Sequence, residues 1–128
     1  MIVVDSSALL AILLDEPEAD LLESSLAQGG VWLPVSCYLE TCINLRRRKF
    51  SRDALESYLQ RADIRVLPSD ARQAHIAAEA DRRYGRGTGH PARLNFGDCL
   101  AYAAAVAHDA PLLFKGNDFA HTDVRCAI

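Results

Sequence analysis

Four acidic residues stand in settings that invite chemistry: Asp5 in "VVDSSALL", Glu40 in "YLETC", Asp98 in "LNFGDCLAYA" and Asp118 in "KGNDF". Each belongs to a different segment of the chain. Two like charges 4 Å apart repel by about 4 kcal/mol at an effective dielectric of 20. Four carboxylates in one crevice would make a cost comparable to a small domain's whole stability, about 5–15 kcal/mol. Carboxylates brought together must therefore take up protons or a cation. Oxygen donors without clustered His or Cys suit Mg2+ or Mn2+. Such an ion activates water and neutralises phosphate charge, so phosphodiester hydrolysis is the chemistry to expect.

Asp98 poses the question most sharply. From Cys99 to Ala107 every residue is apolar or small, so the helix it opens has no solvated face. A buried charge there needs a partner. Each acid also has a plainer explanation. Asp5 before "SSALL" is a good N-cap. Glu40 falls off the apolar stripe of its helix, beside Ser36 and Asn44, as a solvated glutamate would. Asp98 is the third residue of a helix capped by Asn95, where a carboxylate is favoured by the helix dipole. Asp118 in "GND" suits a turn.

The elements that must position these acids alternate in type. "IVV" 2–4 reads as a strand, with a helix following near 6–14. A second helix covers about 17–28 and closes on Gly29 and Gly30. "VWLP" 31–34 is the second strand. Val35, Tyr38, Leu39, Cys42 and Ile43 then recur at the spacing of an amphipathic helix's apolar stripe. Ser51 and Ser69 cap helices near 52–62 and 70–84, on either side of a strand in "IRVLP" 64–68. "YGRGTGHPAR" 84–93 is the one long loop, and the apolar helix spans about 95–108. "PLLF" 111–114 is a fourth strand and "VRCAI" 124–128 a candidate fifth.

This alternation predicts an α/β fold. A parallel sheet of four to five strands carries helices on both faces in three α/β/α layers, within one domain over residues 1–128. Ligands of such sheets bind beyond the carboxyl ends of the strands. Asp5, Glu40 and Asp118 follow the first, second and fourth strands. The Asp98 helix runs back along the sheet, so its start lies at the same edge.

Half of the residues are hydrophobic and the formal net charge is −3, which does not by itself mark a nucleic-acid binder. Bases nevertheless cluster at "RRRK" 46–49 and within "RRYGRGTGHPAR" 82–93. The first cluster ends a helix, where cations complement the dipole. The second leads into Asp98, and Arg86 and Arg93 are candidates to steer phosphates. Lys115, between the fourth strand and Asp118, is another. The cysteines at 37, 42, 99 and 126 lack C-x-x-C spacing and read as reduced packing residues of a cytoplasmic protein. The apolar N-terminus has no basic leader and contains Asp5, unlike a secretory signal. No apolar run reaches membrane-spanning length.

Taken together, "VVDSSALLAIL", "YLETCINL", "LNFGDCLAYA" and "PLLFKGNDFAHTDV" resemble, in order and along the whole chain, a PIN-domain ribonuclease of the VapC toxin type. The resemblance implies a compact α/β/α fold with a five-stranded parallel sheet. It implies an endoribonuclease dependent on Mg2+, with Mn2+ as a substitute, acting as the toxin of a type II toxin–antitoxin pair. A cognate VapB antitoxin, a homodimer and an RNA substrate such as a tRNA loop are its expected partners. Asp5 and Asp98 match the principal metal ligands, Glu40 the third acid and Asp118 the fourth, with Asp123 as the alternative. Ser7 matches a small polar residue that buttresses the first Asp and reaches the scissile phosphate. In the expected mechanism Glu40 or Asp118 orients or deprotonates an attacking water. Val35, Tyr38, Leu39 and the acidic helix near 17–28 are candidates for dimer or antitoxin contacts.

Two readings compete. One is a metal-independent ribonuclease using His90 and His121; the other is an RNA-binding domain without catalysis. A receiver-like domain or a haloacid-dehalogenase-type phosphatase would need paired acids where this chain has "DSS" after its first strand.

Overall fold

The computed structural model describes residues 1–128. The β-branched run Ile2–Val4 forms β1, and every one of its residues is buried. Then follow α1 (Ser6–Leu13), α2 (Ala19–Leu26), β2 (Val31–Pro34), α3 (Val35–Arg47), α4 (Arg52–Arg61), β3 (Ile64–Leu67), α5 (Ala71–Tyr84), α6 (Phe96–Ala107) and β4 (Leu112–Leu113). A short 3-10 turn, Phe119–His121, follows β4.

The strands pair in the order β3-β2-β1-β4, all parallel. The chain thus steps outward from β1 to β3 and returns to the other side of β1 for β4. The carboxyl ends of β1 and β4 form the point where strand order reverses, the place where open α/β sheets leave a crevice. Helices cover the sheet in the α/β/α arrangement, around one continuous cluster of 32 buried apolar residues. No helix is long and apolar enough to cross a membrane.

Ser69 yields the cap of α5 to Asp70, whose Oδ1 accepts from Gln73 N–H at 2.9 Å, and two larger expectations need correction. The fifth strand is reduced to one parallel bridge between Leu112 and Cys126. Leu112 N–H donates to Arg125 O at 2.8 Å and Ala127 N–H to Leu112 O at 3.0 Å. Just before it, Asp123 is pinned to Tyr102 of α6 at 2.6 Å, which holds the segment off a longer run along β4.

The second correction concerns α3. Its apolar stripe is split: Tyr38 and Cys42 pack partly buried against the core, whereas Val35 is 43% and Leu39 58% exposed, as surface contact residues would be. The buried face consists of Cys37, Thr41 and Leu45. Thr41 can be buried because its hydroxyl donates to Cys37 O at 2.7 Å, so no polar group is left unpaired. This rotation turns Glu40 toward α6 instead of open water.

In α6, Cys99 and the residues from Ala101 to Ala105 are all buried. Four of those five are alanines, and their short side chains bring the helix axis close against β1, β2 and β4. The start of α6 is thereby fixed at the carboxyl edge of the sheet.

Candidate functional site

Asp5 follows β1 and caps α1, in extended backbone at φ −80° and ψ 155°. Its Oδ2 accepts from Ser7 N–H at 3.0 Å and from Ser7 Oγ at 2.5 Å. Its Oδ1 accepts from the Cys37 thiol at 3.7 Å. Ser7 Oγ in turn accepts from Lys115 N–H at 3.0 Å. One hydroxyl therefore ties the end of β1 to the loop after β4. Capping α1 therefore leaves Asp5 at the candidate site.

Asp98 shows the same double use. Asn95 Oδ1 accepts from Asp98 N–H at 2.8 Å, and Asp98 Oδ2 accepts from Asn95 N–H at 3.0 Å, a capping box. That exchange consumes one carboxylate oxygen and orients the other. Glu40 approaches from α3. A Cβ built on Gly97 would stand 2.5 Å from Glu40 Oε1 and 2.8 Å from Oε2, so the carboxylate occupies the space that only a glycine leaves.

Burial raises all three acids, and the charge of Asp5 reaches both Glu40 and Asp98. Asp5 is buried and its carboxyl is pushed up by desolvation, against the pull of the Ser7 and Cys37 hydrogen bonds. Burial, then the charges of Asp5 and Asp98, push Glu40 up to about 7. Burial raises Asp98 to about 6, with Asp5 and Asp118 adding to it and Asn95 N–H and Arg86 opposing it. Asp118 starts the 3-10 turn and is exposed, near enough for its charge to reach Asp98. Asp123 is otherwise engaged. Tyr102 donates to it at 2.6 Å and Arg83 pairs with it at 3.5 Å, and the Tyr102 bond holds its carboxyl below the usual range.

A divalent cation fits this donor chemistry, because the converging groups are carboxylates that discourage one another's ionisation. No three of them converge tightly enough to grip an ion as they stand. Mg2+ tolerates that, since it keeps several waters and takes only one or two carboxylates directly.

The basic candidates divide. Arg86 is exposed and its charge reaches Asp98; its Nε donates to Arg93 O at 3.2 Å. Arg93 adopts a left-handed backbone at φ 49°, which turns the loop back toward α6. The ammonium of Lys115 is paired with Glu16 and, at 3.0 Å, with Glu18, so only its backbone N–H faces the site, through Ser7. Of the histidines, His90 Nδ1 accepts from Ala92 N–H at 3.1 Å, and its ring packs edge-on to Tyr84, a structural role.

Two residues of this edge escaped sequence reasoning. Gly97 had a signal: glycine early in a helix costs about 1 kcal/mol against alanine, so it marks a close approach. Cys37 had none, since a thiol in an apolar run looks like packing.

Comparison with known proteins agrees with this fold. The sequence profile of the PIN domain matches residues 2–125. Ribonuclease VapC28 of Mycobacterium tuberculosis is 46% identical over 129 residues, covering 98% of this chain and 97% of the relative. Ribonuclease VapC of Mycolicibacterium smegmatis is 47% identical over 126 residues, covering 95% and 96%. In fold, the chain superposes on the crystal structure of Mycobacterium tuberculosis VapC20, a sarcin–ricin-loop-cleaving toxin. The TM-score is 0.74, at 21% identity, with 97% and 96% of the chains covered. The chain belongs to the PIN domain family, among the VapC proteins.

Proposed function

We propose that this protein is a Mg2+-dependent endoribonuclease, the toxin of a VapB–VapC pair. What carries the reading is the delivery of Asp5, Glu40 and Asp98 to one edge by β1, α3 and α6, with Glu40 seated against Gly97 and within reach of the charges of the other two. The relatives named ribonuclease supply the substrate class.

Asp5 and Asp98 hold the cation, with Asp118 completing the charge. Bound there, a divalent ion lowers the pKa of water and neutralises developing charge on the phosphate. Glu40 accepts the proton of the attacking water at a carboxylate oxygen, for which a pKa near 7 is well matched. Ser7 fixes the Asp5 carboxylate. Arg86, with Arg93 beside it, engages the phosphates of the incoming strand. Hydrolysis by water leaves a 5′-phosphate and a 3′-hydroxyl. A VapB-type antitoxin, a homodimeric state, a structured RNA target and a cytoplasmic location complete the reading. An antitoxin arginine pairing with the carboxylates would compete directly with the cation.

The test uses antitoxin-free protein on labelled total RNA with Mg2+, Mn2+ or EDTA, beside Asp5→Asn and Asp98→Asn. Cleavage confined to the metal lanes, 5′-phosphate ends and two inactive variants are expected. Activity surviving chelation, or variants as active as the parent, would overturn it.

A further inference from the structure

We propose that Glu16 and Glu18 keep the Lys115 ammonium out of the acidic edge, so that the carboxylates there stay free for a divalent cation. This deepens the reading above and rests on the cation it invokes.

Lys115 is rooted beside the site. Its backbone N–H donates to Ser7 Oγ at 3.0 Å, and Ser7 Oγ donates to Asp5 Oδ2 at 2.5 Å. Those two hydrogen bonds are all that separates the Lys115 backbone from the buried Asp5 carboxylate. Toward Asp118 the chain passes Gly116, where a Cβ would meet nothing within 4 Å, so no side chain walls off that direction. A flexible four-carbon stem anchored here has the acidic edge within its sweep. It points the other way. The ammonium is bonded to Glu16 and lies 3.0 Å from Glu18, both in the turn between α1 and α2.

That turn holds its glutamates without help from Lys115. Glu16 N–H donates to Ala11 O at 2.9 Å, and Glu16 O accepts from Ala19 N–H at 2.9 Å. Glu18 O accepts from Leu22 N–H at 3.0 Å. Asp15, left-handed at φ 51°, bends the chain just before them. The two carboxylates are therefore a fixed acceptor pair, and the lysine stem is the part that moves.

Stability does not account for two carboxylates on one ammonium. The Lys115, Glu16 and Glu18 side chains are 37%, 32% and 44% exposed, and ion pairs so placed add little to folding. The glutamates also repel each other, and the second leaves the group with a net negative charge. What the second adds is competition. Asp5, Glu40, Asp98 and Asp118 attract the same ammonium, and one glutamate is a weaker rival to them than two. A lysine seated among those four would neutralise them as a compact point charge and stand where the ion must bind.

The test is a cycle of variants read as Mg2+ affinity, by calorimetric titration of the antitoxin-free chain. Glutamine keeps every backbone bond of the turn, and circular dichroism checks folding. The double variant Glu16→Gln, Glu18→Gln is expected to bind Mg2+ at least about ten-fold more weakly than the parent. Adding Lys115→Gln to it should restore affinity to within about two-fold of the parent, whereas Lys115→Gln alone should move it by no more than about two-fold. A charge acting only through its long-range field would give Lys115→Gln the same step in both backgrounds. Melting in EDTA at pH 8 reads the same exchange without metal. There the freed ammonium relieves repulsion among the carboxylates, so the double variant should melt above the triple. Equal steps in the two backgrounds overturn the proposal. So does a double variant that binds like the parent, a triple variant as weak as the double, or a double variant that melts no higher than the triple. A parent that takes up neither Mg2+ nor Mn2+ overturns the cation reading and this proposal together. A parent that binds Mg2+ while the steps are equal overturns this proposal alone.

Discussion

The carboxylate of Glu40 and the bare Cα of Gly97 are fitted to each other: a Cβ at residue 97 would stand 2.5 Å from Oε1. This contact between α3 and α6 sets where the third acid lies relative to Asp98, one residue further on. It also separates stability from activity. Alanine suits a helix better than glycine by about 1 kcal/mol, and the clashing group is the free end of a flexible side chain. Gly97→Ala should therefore keep or raise the thermal midpoint while lowering RNA cleavage at least about ten-fold by displacing Glu40. Calorimetry and a cleavage assay on the same preparation check both halves.

Metal-free protein should lose stability as pH rises. Glu40 moves from 4.5 to about 7 and Asp98 from 3.8 to about 6 on folding, and Asp5 also rises. Between the ordinary and the raised values the folded chain binds more protons than the unfolded one, so unfolding becomes easier with each step up in pH. In EDTA the thermal midpoint should fall from pH 5 to pH 8. Glu40→Gln should flatten that fall, and added Mg2+ at pH 8 should reverse it. A midpoint independent of pH in the parent would contradict this.

Asp118 and Asp123 should separate in a pair of variants. Asp118 is exposed and caps nothing, so Asp118→Asn should reduce cleavage with the unfolding midpoint unchanged. Asp123 accepts from the part-buried Tyr102 hydroxyl, so Asp123→Ala should cost about 1–3 kcal/mol. Cleavage by the folded fraction should persist. Urea titrations with activity normalised to folded protein distinguish the two.

Removing the Ser7 hydroxyl strands two groups at once. Lys115 N–H loses its acceptor and Asp5 loses a donor. Ser7→Ala should cost about 1–3 kcal/mol and weaken Mg2+ binding, as calorimetric titration would read. Lys115→Gln should leave Mg2+ affinity nearly unchanged, because the backbone of residue 115, and not its ammonium, holds Ser7.

Much of this was legible in the sequence. "IVV", "VWLP" and "IRVLP" announced buried strands, and their alternation with helices placed Asp5, Glu40, Asp98 and Asp118 near one edge before any coordinate was known. The capping roles of Asp5 and Asp98 were legible too, although they looked like alternatives to a site and prove compatible with one. What failed was the face of α3. Hydrophobic periodicity points to the stripe through Val35, Tyr38, Leu39, Cys42 and Ile43, of which Tyr38 and Cys42 do pack against the core, but the fully buried face is Cys37, Thr41 and Leu45, where Thr41 hides its hydroxyl in its own helix. Glu40 therefore seemed solvated. Contacts such as Cys37 to Asp5, 32 residues apart, depend on the register of packed helices, which no local pattern encodes.

The alanines of α6 carry a last implication. With Ala101, Ala103, Ala104 and Ala105 at zero exposure, nothing bulkier enters without lifting the helix off the sheet and dragging Asp98 with it. The floor of the crevice is in that sense a datum surface with no tolerance. The rim made by α3 and the 85–93 loop is open to change. Divergence among descendants of this chain should accordingly redraw what is gripped long before it alters where the cut is made.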